Sequence, residues 1–234
     1  MADRLGQLLG HATGSGTTNT SLGQVEGISL TYNGRLAQLK TDLLRNAAIA
    51  GILHGADGVN RINASAAAAD RGIRVQEDKR EHVPGGTGAA LRLTIHWARK
   101  SSTGSSDRGE WTGLATVLHG HSPRLLSYDG IDIEAELAGT LIVIRNHDVP
   151  GVIGRIGTLL GESQLNIASF ALGRRRASSP AAPAADATES AAPQALAVIQ
   201  LDTAAAPSAL EKAVADLRSV PAITSVRVVD LPLL

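Results

Sequence analysis

Apolar positions along the chain recur at two spacings, and the switches between them outline its elements. Near the start, ADRLGQLLG sets Leu5, Leu8 and Leu9 on one helical face, with Gly10 as the expected stop. A helix this short is marginal alone. It reads as the end of an element that is missing, or as a helix that docks elsewhere. Residues 11–24, HATGSGTTNTSLGQ, form a Gly/Ser/Thr-rich connector. VEGISLTYNGRL then alternates as a half-buried strand does. DLLRNAAIAGILHG has helical spacing through Leu43, Leu44, Ala47, Ile49 and Ile52, with Gly55 placed to stop it. VNRINASAAAADRG predicts a short strand and then a helix from Ala64 to Asp70, capped by Asn63 or Ser65 and ended by Gly72. IRVQEDKRE, LRLTIHWAR and EWTGLATVLHG read as strands, separated by a turn or mobile loop at 84–88 and a loose hairpin tip in KSSTGSSDRG. PRLLSYDGIDIEAEL predicts two short strands around Asp129-Gly130. Residues 25–138 are therefore expected to form an α+β unit with a mostly antiparallel sheet.

A second unit is expected over 139–234. TLIVIRN is a near-continuous apolar strand. PGVIGRIGTLLGES is a helix with Val152, Ile156, Leu159 and Leu160 on one side, and QLNIASFALG is a strand. RRRASSPAAPAADATESAAPQ has three prolines among Ala and Ser, and is read as a disordered insert over 174–194. ALAVIQL returns as a strand. PSALEKAVADLRSV is a helix with Pro207 in its first turn, and ITSVRVVDL is the last strand. The order β-α-β-β-α-β is the ferredoxin-like split arrangement.

One junction carries more polar chemistry than a connection needs. In NHDVPGVIGRIG the first strand of that unit ends where the helix begins. The unpaired amides of the first helical turn, near Gly151 to Ile153, carry partial positive charge and suit a ligand carboxylate. Pro150 fits that first turn, while Gly151 and Gly154 let a backbone or a ligand come close. Asp148 accepts from an ammonium group, Asn146 bonds either partner, and Asn166 closes the site from a neighbouring strand or a second subunit. The alternatives are local: Asp148 capping the helix, and Asn166 ending a strand or satisfying a backbone group.

Composition removes several classes of function. The chain has 234 residues, 43% of them hydrophobic, with Lys plus Arg and Asp plus Glu balanced at 22 each. That balance gives no electrostatic case for nucleic acid or an acidic membrane. An aromatic content of 2% argues against base-stacking platforms. There is no cysteine, which excludes disulfides, iron–sulfur clusters and thiolate zinc. No apolar run approaches the roughly 18 residues of a membrane span, and MADRLGQLLG lacks the form of a signal peptide. His119 and His121 in HGHS are read as exposed histidines rather than metal ligands. GVIGRIG lacks the spacing of a dinucleotide fingerprint, and TGSGT lacks the lysine of a phosphate loop. No catalytic residue, metal or cofactor is assigned.

LIVIRNHDVPGVIGRIGTLLGESQLNIASFALGR resembles an ACT domain, a small amino-acid-sensing module. More narrowly it resembles the one that closes the D-3-phosphoglycerate dehydrogenase family. VNRINASAAAADRGIRVQEDK resembles that family's intervening regulatory domain. ADRLGQLLG resembles the end of the helix leading out of its substrate-binding domain. The resemblance covers the chain except the Pro/Ala insert and residues 84–110. It implies a regulatory part whose effector, L-serine or a similar small amino acid, is held by Asn146, Asp148 and Asn166, with the backbone near Val152 and Ile153 helping. The family often has His or Tyr where Asn146 stands, so ring packing against the ligand is lost here. Arg124 stands where the intervening domain carries a basic residue for an anion, with a solvated strand-end arginine as the alternative. NAD belongs to the full-length family, and this stretch alone is expected to be inactive as a dehydrogenase. Self-association through both domains and a catalytic dehydrogenase chain are the implied protein partners. The expected compartment is the cytoplasm, or a plastid if a targeting segment lies upstream. The competing readings are a purely structural oligomerisation module, or a regulatory subunit of another serine-pathway enzyme.

Overall fold

The computed structural model describes residues 1–13, 24–82, 88–100, 106–118, 120–175, 194–202 and 206–233. The chain divides into two compact units, Met1–Asp129 and Gly130–Leu234. Among the described residues, no helix is long and apolar enough to cross a membrane.

In the first unit, helices α1 (Ala2–Thr13), α2 (Asp42–Ile52) and α3 (Ala64–Asp70) accompany strands β1 (Gln24–Gly34), β2 (Arg74–Arg80), β3 (Ala89–Lys100), β4 (Ser106–Leu118) and β5 (Ser122–Tyr128). The strand order is β2-β1-β3-β4-β5, parallel between β1 and β2 and antiparallel across the other described pairings. Leu5, Leu8 and Leu9 of α1 are buried, as their spacing predicts, because α1 lies on α2 and on β4. The helix runs on past Gly10, which is no stop. A Cβ there would stand 2.6 Å from the carbonyl oxygen of Ile52, so this glycine serves a close helix crossing. On α2 the buried face is Ala48, Ile49, Gly51 and Ile52, whereas Leu43 is 81% exposed, against the expectation that it joined the core.

The short strand expected in VNRIN is absent. Residues 61–63 form a turn, in which the side chains of Asn60 and Asn63 bond backbone groups of the same loop. Asn63 occupies the N-cap position of α3, but it spends its carboxamide in that loop and makes no side-chain cap bond. Ser65 lies inside α3, bonded to Asn46. Asp129 and Gly130 both have positive φ, at 49° and 74°, as a type I′ turn requires. The loops at 84–87 and 101–105 lie outside the described residues.

A partly buried polar cluster ties α2 to the sheet. The Tyr32 hydroxyl donates to Glu77 at 2.8 Å, Arg45 donates to the same carboxylate at 2.8 Å, and Thr41 donates at 3.3 Å. Burial, reinforced by Glu77, pushes the Tyr32 phenol above its ordinary range. Burial alone would raise the Glu77 carboxyl, but these hydrogen bonds and the Arg45 charge outweigh it and hold the group low.

The second unit contains β6 (Ile131–Glu136), β7 (Gly139–His147), α4 (Val152–Glu162), β8 (Ile167–Arg174), β9 (Gln194–Leu201), α5 (Pro207–Arg218) and β10 (Ile223–Leu231). Its sheet order, β10-β7-β9-β8, is that of the split βαβ arrangement. Helices α4 and α5 cover one face through a core that includes Ile142, Ile144, Ile199 and Val226. The four α4 residues expected to face inward, Val152, Ile156, Leu159 and Leu160, are its buried ones. Leu141 and Val143, on the opposite face of β7, are buried as well, which accounts for the unbroken apolar run of that strand. The insert expected over 174–194 lies outside the described residues, except at Arg174, Arg175 and Gln194. The α+β architecture of two small units thus agrees with the sequence pattern.

Candidate functional site

The junction of β7 and α4 forms a cleft, because register and turn chemistry converge there. Asn146 pairs with Ala195 of β9, which pairs in turn with Arg174 of β8. Asn146, Ala195 and Arg174 therefore make one row across the sheet, beside the start of α4. The chain turns through Pro150 and Gly151, and Gly151 is the helix N-cap with φ 89° and ψ −17°. Pro150 thus precedes the cap rather than opening the first turn. The left-handed backbone at Gly151 suits glycine alone among ordinary residues, and a Cβ on it would meet nothing within 4 Å. The backbone there faces open space.

The resulting cleft encloses about 280 Å³ and is lined in part by Asn146, Asp148, Gly151, Leu172 and Arg174. That volume lies at the small end of ligand pockets, which suits a metabolite of a few heavy atoms.

Polar groups in the cleft are incompletely matched. Asn146 is 3% exposed, and its Nδ2 donates to the His147 carbonyl at 2.8 Å. Its Oδ1 is buried with no partner. A buried acceptor left unsatisfied costs about 1–3 kcal/mol, so this atom marks a place where the protein alone is incomplete. The first amides of α4 have no acceptor within the helix, and no side chain caps them. Asp148 is not the cap. Its Oδ2 instead pairs with Arg174 Nε at 2.8 Å, the two side chains being 24% and 66% exposed. The Val152 side chain is buried in the core, Ile153 is 47% exposed, and both residues line the cleft.

Asn166 is not part of this cleft within one chain. It stands just before β8, where its Nδ2 donates to Asp202 Oδ2 at 2.8 Å and its carbonyl accepts from the Asp202 amide at 3.0 Å. Arg174 marks the cleft end of the same strand, eight residues away, or about 26 Å at 3.3 Å per residue. Sequence reasoning missed Arg174 as a residue lining the cleft. The signal was present in the topology, since parallel strands joined by a helix end on the same side of a sheet.

In the first unit, Arg124 lies on β5 opposite Thr116, and its Nε is buried without a partner. Thr116 follows Leu114 by two residues, and Leu114 pairs with Arg92 of β3, so Arg92 shares that face. Burial, followed by the nearby Arg80 charge, lowers the Arg92 pKa. Sequence reasoning passed over Arg92 because its strand reads only as alternation. His119 lies outside the described residues, and no group of three His, Cys, Asp or Glu residues among the described ones could hold a metal.

A family model described as the D-3-phosphoglycerate dehydrogenase intervening domain matches residues 1–125, and an ACT domain model matches residues 140–197. The D-3-phosphoglycerate dehydrogenase of Bacillus subtilis (strain 168) is 28% identical over 210 residues, covering 89% of this chain and 35% of the relative. That of Methanocaldococcus jannaschii is 32% identical over 155 residues, covering 65% and 27%. That of Synechocystis is 32% identical over 178 residues, covering 75% and 29%. The chain therefore spans well under half the length of the curated relatives it matches.

Proposed function

Because the chain belongs to the D-3-phosphoglycerate dehydrogenase family, as the intervening and ACT domains of its C-terminal regulatory part, we propose that the β7–α4 cleft binds L-serine or a similarly small amino acid as a feedback effector. The observation that carries this reading is the buried, unpartnered Oδ1 of Asn146 beside the uncapped start of α4. The first-turn amides receive the ligand's carboxylate. Asp148 receives the ammonium, and Asn146 Oδ1 accepts from the ammonium or from the side-chain hydroxyl. Asn166 enters only from a second copy, so the ligand bridges two ACT units at their interface. Binding then favours the docked arrangement, and it shifts a coupled dehydrogenase only by its differential affinity for the two states.

Titration calorimetry with L-serine on the wild type, Asp148→Ala and Asn146→Leu tests the assignment. Asp148→Ala should weaken binding by about 1.5–3 kcal/mol, the contribution of a charged hydrogen bond. Asn146→Leu should abolish the serine response while leaving the unliganded protein at least as stable, because an unsatisfied acceptor is removed. Unchanged affinity in Asp148→Ala would remove that residue from the site.

One observation favours a second reading. Asp148 is already paired with Arg174, as it would be in a purely structural assembly module with no ligand. Thermal melts with free amino acids separate the two readings, since a ligand that binds only the folded state raises the melting temperature. The buried Arg124 Nε and the desolvated Arg92 on the same face support a further proposal, that the intervening domain holds a small anion there.

A further inference from the structure

The β7–α4 cleft contains an ion pair, Asp148 with Arg174. Both groups line the cleft, and together they make it electrically neutral. The pair is exposed on the arginine side, and an exposed pair of this kind contributes little to stability, so it opens readily. The backbone that carries it is firmly placed. A Cβ on the neighbouring Gly173 would collide with the carbonyl of Asp132, so β8 is pressed onto β6 just before Arg174. Arg174 also stands in the same sheet row as Asn146. Its backbone is thus fixed at the cleft while its guanidinium is held by a weak contact.

We propose that the Asp148–Arg174 pair is a charge lock, opened by a ligand that carries both an ammonium and a carboxylate, with Arg174 receiving that carboxylate. This rests on the reading of the cleft as an amino-acid site, and it adds the group that selects the ligand class. A ligand bearing only an ammonium competes with Arg174 for Asp148 and leaves the guanidinium without a partner. A ligand bearing only a carboxylate competes with Asp148 for Arg174 and leaves the acid unpaired. A zwitterion re-pairs both halves, so opening the lock costs it nothing that it does not replace. One carboxylate oxygen faces the α4 amides and the other faces Arg174. Lysine in place of arginine keeps the charge and loses the planar fork, so it restores part of the selection.

Calorimetry on the full chain tests this with three probes: L-serine, ethanolamine, which lacks the carboxylate, and glycerate, which lacks the ammonium. The proteins are the wild type, Arg174→Gln and Arg174→Lys, with circular dichroism confirming that each folds. Wild type should prefer serine to both probes. Arg174→Gln should weaken serine about tenfold or more, a charged hydrogen bond's share, while binding ethanolamine more tightly than wild type does. Arg174→Lys should fall between the two. Serine affinity that is unchanged or improved in Arg174→Gln overturns the charge lock and leaves the amino-acid site standing. No serine binding by wild type overturns the amino-acid reading itself.

Discussion

The same substitution, glycine to alanine, should have opposite effects on two helices of this chain. On α2, Gly51 faces α1 at a crossing where a Cβ would collide with the Asp3 carbonyl oxygen and come within 2.9 Å of the Gln7 amide. Both obstacles are backbone, so no flexible side chain can yield and α1 must move. That helix carries Leu5, Leu8 and Leu9 into the core, each at most 2% exposed. Overpacking of this kind costs about 1–3 kcal/mol, here at the upper end, and the helical gain of alanine over glycine returns about 1 kcal/mol. Gly51→Ala should therefore destabilise the first unit by about 2 kcal/mol. On α4, a Cβ on Gly157 would meet nothing within 4 Å. Gly157→Ala should gain close to the full propensity difference of about 1 kcal/mol. The assay separates the units cleanly. Both tryptophans, Trp97 and Trp111, lie in the first unit, on β3 and β4. Urea unfolding followed by tryptophan fluorescence should show a midpoint about 1 M lower for Gly51→Ala at a slope of about 2 kcal/mol per M. Circular dichroism, which sees both units, reports the gain for Gly157→Ala. A Gly51→Ala midpoint at or above wild type would refute the close crossing.

Two further outcomes follow from charged groups. The Glu77 carboxyl is held below its ordinary value of 4.5 in the folded state, so the unfolded chain binds more protons there. The stabilisation is present above pH 4.5 and is lost as acid carries the pH down through the folded value. Wild type should therefore lose stability more steeply than Glu77→Gln below pH 4.5 in acid titrations of the unfolding midpoint, and parallel curves would refute the cluster's role. Inorganic phosphate should raise the melting temperature of wild type and leave that of Arg124→Ala unmoved, whereas equal shifts would remove Arg124 from any anion site.

Periodicity alone determined most of the local structure. Val152, Ile156, Leu159 and Leu160 lie four or fewer residues apart, and helical geometry places such residues on one face wherever the helix docks. The apolar run of β7, the turn at Asp129-Gly130 and the β-α-β-β-α-β order were legible for the same reason, since each depends on residues close in the chain. The shared location of Asn146 and Asp148 at the cleft was legible because they sit beside the helix start in sequence as well as in space. The remaining features depend on contacts between distant elements. That α1 continues through Gly10, and that Leu43 faces solvent, depend on which helix crosses which. That Arg174 meets Asp148 while Asn166 lies a strand's length away depends on the registers of β7, β9 and β8, which only the long-range pairing of all three strands establishes. Local spacing specifies which way a side chain points along its own element. It carries no record of which distant element arrives to meet it, because that is settled by burial and hydrogen bonding across the whole sheet.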